Sequence, residues 1–86
     1  MREELRKAIQ ENRVVIGTER TIKLIMNGKV KKVIVAKNCP EHIRNRLEYY
    51  SKIYNIEIFE FDGDNKDLGT FCGKPFSIAV LGILHG

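Results

Sequence analysis

The sequence predicts an α/β fold, with one four-stranded sheet held between layers of helices. Three observations carry this. Apolar residues recur at helical spacing in three segments, and a cap cluster announces a fourth, shorter helix. Four short apolar runs lie between and after them. The two kinds of segment alternate along the chain, helix first, in the pattern αβαβαβαβ.

Each element has its own reason. Leu5, Ala8 and Ile9 share one face of a helix from about Arg2 to Glu11, and Asn12 and Arg13 break that rhythm. Val14-Val15-Ile16 is a short buried strand ended by Gly17. Thr18 is placed to cap the next helix. Ile22, Ile25 and Met26 form its apolar face, and Asn27-Gly28 stops it. Val33-Ile34-Val35-Ala36 has no polar alternation, so it reads as an inner strand covered on both faces. Pro40 suits the first turn of the third helix, which continues through Ile43, Leu47, Tyr50 and Tyr54 and closes at Asn55. Ile56 to Phe61 is a strand. Asp62-Gly63-Asp64-Asn65 is a turn and cap cluster, followed by a helix from about Lys66 to Phe71. After the Gly73-Lys74-Pro75 loop, Ile78 to Leu84 is the last strand. The short strand–helix–strand connections predict several parallel neighbours joined by right-handed crossovers.

At 86 residues the chain reads as one domain, residues 1–86, and its 43% hydrophobic content is that of a globular protein, not a disordered one. Fifteen Lys and Arg against eleven Asp and Glu leave a net charge of +4. Such a surplus is compatible with a nucleic-acid partner and does not require one. No apolar run reaches the ~18 residues of a membrane span, and MREELRKAIQ lacks the apolar core of a signal peptide. A cytoplasmic protein is therefore expected, with Cys39 and Cys72 as free thiols.

Several motifs allow two readings. Gly17-Thr18 at a helix start would let a phosphate or an RNA backbone approach exposed N–H groups, and a plain strand-to-helix turn would look the same. Lys29, Lys31, Lys32 and Lys37 flank one strand, either as a basic rim for phosphates or as a solvated edge. Cys39-Pro40-Glu41-His42 resembles a thiol site in outline, but no second cysteine completes it. Cys39, His42, Cys72 and His85 match no zinc spacing, so no metal or other cofactor is expected. Phe76, rigidified by Gly73 and Pro75, could stack on a base or pack under its own loop.

"GTERTIK", "VIVAKNCP", "LEYY" and "GDNKDLGTFCGKPF" occur in that order. The ordered set resembles the large-subunit ribosomal proteins of the L-thirty-e type, within the kink-turn RNA-binding superfamily that includes L-seven-Ae. The resemblance spans about Leu5 to Leu84 and is most specific from Asn65 to Phe76. It implies a three-layer α/β/α sandwich with a mixed four-stranded sheet, and a non-enzymatic protein of the ribosome that binds a kink-turn in ribosomal RNA. It implies three contact regions: Gly17, Thr18, Glu19, Arg20 and Lys23; Lys37 and Asn38; and Phe76, Ser77, Ile78 and Ala79. Phe76 and Ile78 would pack on an extruded base. Glu19 departs from the pattern, which carries a basic residue there. Ribosomal neighbours, no membrane and a monomer when free are the remaining expectations. A kink-turn-binding assembly factor outside the mature ribosome would fit the same motifs.

Overall fold

The computed structural model describes residues 2–86. Eight elements follow one another: α1 (Arg2–Gln10), β1 (Val14–Ile16), α2 (Thr18–Met26), β2 (Val30–Val35), α3 (Glu41–Tyr54), β3 (Glu57–Glu60), α4 (Asn65–Phe71) and β4 (Val80–Leu84). The strands form one sheet in the order β1-β4-β2-β3. Only β2 and β3 are parallel. β4 lies antiparallel to both β1 and β2. The expectation of several parallel neighbours is thus corrected. The last strand enters between the first two and runs against them, so β1 and β2 never pair.

Two cores back the sheet. On one face Leu5 and Ala8 of α1 and Leu68 of α4 meet Ile34, Leu81 and Ile83. On the other, Ile22 and Ile25 of α2 and Leu47 of α3 meet Val33, Val35 and Val80. This is the α/β/α sandwich with a mixed sheet. The unbroken apolar run of β2 has its reason here, since alternate residues enter opposite cores. Gly82 sits under α2, where an added Cβ would stand 3.1 Å from both Thr21 Cγ2 and Val15 Cγ1. Tyr54 lies outside both cores and is exposed.

Strand limits shift for identifiable reasons. β2 starts at Val30, earlier than expected, and a bulge at Lys31 separates the pairs Val30–Leu84 and Lys32–Ile83. The bulge interrupts side-chain alternation. Lys31 and Lys32 both reach Glu4 of α1, at 3.5 and 2.6 Å. β4 starts at Val80, later than expected, because the Ile78 N–H donates to the Asn65 carbonyl and leaves the ladder.

Candidate nucleic-acid interface

Two backbone hydrogen bonds bring distant segments together at one end of the sheet. The Gly17 N–H donates to the Val80 carbonyl at 3.0 Å, and the Ala36 N–H donates to the Ala79 carbonyl at 2.8 Å. The end of β1, the end of β2 and the entry to β4 therefore converge. All three segments singled out in the sequence meet there: Gly17–Lys23, Lys37–Asn38 and Phe76–Ala79.

At the first segment, Gly17 is the N-cap of α2, with φ 108° and ψ 151°. That conformation favours glycine, and no atom lies within 4 Å of where a Cβ would be. Thr18 is the first residue of the helix and not its cap. No side chain caps α2, so its first-turn N–H groups keep their capacity for an outside acceptor. The charged residues then diverge. Glu19 turns to α3, where Arg46 Nη1 lies 2.8 Å from its Oε1 and a second contact spans 3.3 Å. The Arg46 hydrogen bond and charge hold the Glu19 carboxyl below its ordinary range. Arg20 and Lys23, three apart, line one shallow hollow of about 360 Å³ with Val15 and Leu24.

At the second segment, the Asn38 amide is oriented by Asn65. Asn38 Nδ2 donates to Asn65 Oδ1 at 3.0 Å, and Asn38 Oδ1 accepts from the Asn65 N–H at 2.9 Å. One N–H and one lone pair remain free, both fixed in direction. Asn65 also accepts the Ile78 N–H at 2.9 Å. It therefore ties the Asn38 turn to the β4 entry. The sequence reading placed Asn65 only in a cap cluster. Its one signal was an asparagine at a first helical position, where better helix formers are available. Asp64 does the capping: its Oδ1 accepts from the Lys66 and Asp67 N–H groups, both at 2.9 Å. The Asp67 carboxylate answers by accepting the Asp64 N–H at 3.0 Å, which completes a capping box.

At the third segment, Phe76 is 53% exposed and Ser77 is exposed beside it. Ala79 is half-buried. Ile78 is 2% exposed and belongs to the core with Leu68 and Cys72. Its side chain is thus unavailable to an extruded base, and only its backbone stands at the surface segment. Gly69 positions this loop. A Cβ there would lie 2.1 Å from the Phe76 carbonyl oxygen, so α4 and the loop touch backbone to backbone only because residue 69 is glycine.

Charge is distributed unevenly. Among the described residues Arg20, Lys23 and Lys37 form no ion pair, whereas Glu60 is held by Arg44 and Asp62 by Arg2, each at 2.7 Å. The lysines flanking β2 do not form one rim. Lys31 and Lys32 are matched by Glu4, and Lys29 lies at the opposite end of the strand from Lys37, roughly 26 Å away at ~3.3 Å per residue. Cys39 is half-buried, and burial pushes its thiol up, partly opposed by the charge of Arg44. A reactive thiol needs the reverse shift. Among the described residues no three His, Cys, Asp or Glu side chains gather as metal ligands, and no helix is long and apolar enough to cross a membrane.

Fold and site define the class: a small α/β/α sandwich whose sheet end gathers a glycine-led helix start, an oriented asparagine and unpaired basic groups. The chain belongs to the "Ribosomal protein L7Ae/L30e/S12e/Gadd45 family", whose model matches residues 1–86. It is 42% identical to the large ribosomal subunit protein eL30 of Methanopyrus kandleri over 81 residues, 94% of this chain and 74% of that one. With the protein of the same name from Saccharolobus solfataricus it is 40% identical, covering 94% of this chain and 75% of the other. Among solved structures, a Bacillus halodurans protein of unknown function superposes with a TM-score of 0.85 at 25% identity, over 92% of this chain and 78% of that one. The Giardia lamblia 15.5kD RNA binding protein superposes with a TM-score of 0.83 at 20% identity, over 94% and 68%. The Methanopyrus kandleri and Saccharolobus solfataricus relatives are both named as proteins of the large ribosomal subunit.

Proposed function

We propose that this protein is a structural constituent of the large ribosomal subunit. Residues 1–86 act as one RNA-binding domain that recognises a kink-turn with sheared G·A pairs. The observation that carries the reading is the convergence of the three segments through the Gly17–Val80 and Ala36–Ala79 bonds. Gly17 and the uncapped start of α2, at Thr18, receive the RNA backbone. Arg20, Lys23 and Lys37 neutralise phosphates. Asn38 presents its free N–H and lone pair to a base edge. Phe76 stacks on the extruded base, flanked by Ser77 and by the backbone of Ile78 and Ala79. Glu19 orients α2 through Arg46 and contacts no phosphate. The protein works by holding the RNA bent, as a monomer before assembly, on ribosomes in the cytoplasm beside ribosomal neighbours.

The test compares a kink-turn RNA with the same RNA whose G·A pairs are replaced by Watson–Crick pairs. Strong preference for the first is expected. Asn38→Ala and Arg20→Ala should each weaken binding, with thermal unfolding still cooperative. Equal binding to both RNAs overturns the reading. One observation favours a second role as an assembly factor. Tyr49 and Ile53 are 63% and 58% exposed one turn apart on α3, an apolar face that could take a protein. Absence from salt-washed subunits would select that role.

A further inference from the structure

Two of the other lysines without an ion-pair partner among the described residues, Lys66 and Lys74, line one hollow. Lys66, Thr70, Lys74, Pro75, Phe76 and Ser77 enclose about 390 Å³ between α4 and the loop that enters β4. The walls are held by backbone. The Lys74 N–H donates to the Gly69 carbonyl at 3.0 Å, and Gly73 turns the chain with φ 71°. The close approach at Gly69 seats Phe76 against the helix. No carboxylate lines the hollow. Asp64 and Asp67 are occupied in the capping box, and Asp67 lies along a different hollow, with Arg2 and Phe71. Phe76 and Ser77 belong both to this hollow and to the interface described above. The Asn38–Asn65–Ile78 hydrogen bonds make the two surfaces continuous.

We propose that this hollow takes a phosphodiester group of the bound RNA, extending the contact surface past Asn38 along α4. Lys66 and Lys74 supply the counter-charges, three donors each, and the Thr70 and Ser77 hydroxyls donate to the non-bridging oxygens. The inference rests on the RNA-binding reading. It adds a phosphate contact in a hollow separate from the one lined by Arg20 and Lys23.

The test is the salt dependence of binding, measured on the full chain carrying Lys66→Gln and Lys74→Gln. A control carries Lys29→Gln and Lys52→Gln, the same loss of charge away from the hollow. Each phosphate contact contributes about 0.7–0.9 to the slope of log K against log salt. The hollow variant should flatten the slope by about 0.7–0.9, and the control by less than half as much. Preference for the G·A-containing RNA should persist in both. Equal flattening in variant and control overturns the hollow and leaves the kink-turn reading intact. If the wild type fails to discriminate the two RNAs, the kink-turn reading falls, and the same slope difference on the RNA that binds still decides the hollow. No binding to either RNA overturns both.

Discussion

Replacing Gly69 by alanine sets two opposing effects against each other at the hinge between α4 and the interface loop. Within a helix, alanine is favoured over glycine by about 1 kcal/mol. Against that, the new Cβ would stand 2.1 Å from the Phe76 carbonyl oxygen, 3.1 Å from its carbonyl carbon and 3.2 Å from Ser77 Cα. All three obstacles are backbone, so no rotamer change relieves them. The loop must move by about an ångström to restore ordinary contact, and overpacking of this kind costs ~1–3 kcal/mol. A net loss of up to about 2 kcal/mol is expected, which lowers Tm by as much as roughly 15 °C in a domain of this size. The same displacement carries Phe76 and Ser77 out of the proposed RNA contact, so affinity should fall about tenfold, equivalent to ~1.4 kcal/mol. Circular dichroism melting and filter binding in one buffer measure both quantities. A variant that melts at or above the wild-type temperature and binds RNA normally would refute the role given to the Gly69 contact.

Three other perturbations test neighbouring parts of the structure. Asn65→Ala removes the acceptor of Asn38 Nδ2 but keeps both backbone bonds, so stability should drop by at most about 1 kcal/mol while RNA binding weakens. Combined with Asn38→Ala the two losses should not add, which a double-mutant cycle reads directly. Hydrogen bonds from the Asp67 and Lys66 N–H groups hold the Asp64 carboxyl below its ordinary 3.8. Its contribution is therefore full above that value and lost as pH falls through the lower folded value. Asp64→Asn keeps a capping oxygen without titrating, so its Tm should decline less than wild type below about pH 4. The Thr21 hydroxyl is buried with no hydrogen-bond partner among the described residues. Thr21→Val keeps the shape and should stabilise by up to about 1 kcal/mol in a denaturant titration.

Local chemistry made most elements legible. Val33–Ala36 announced an inner strand because both its faces are buried, and Gly28 and Asn55 marked helix ends through the positive φ they adopt. Strand direction was not legible. Alternating elements suggest parallel crossovers, yet β4 enters between β1 and β2, and no local pattern encodes that insertion. The candidate site was legible as segments that the fold brings together, but not as contacts. Gly17, Asn38 and Phe76 stand out by residue type. The bonds that orient them join residues far apart in sequence, as Asn38–Asn65 and Glu19–Arg46 do, each 27 positions apart. Ile78 misled because an apolar residue at a loop exit serves a core as readily as a surface. Thr18 misled because glycine takes the cap position ahead of it.

The most direct measurement is a map of backbone amide shifts as labelled protein is titrated with the kink-turn RNA. The largest changes are expected at Gly17–Arg20, Lys37, Asn38 and Ser77–Ala79, with Tyr49 and Ile53 on α3 unmoved. Shifts concentrated on Tyr49 and Ile53, with the sheet end silent, would contradict the assignment of this surface to RNA.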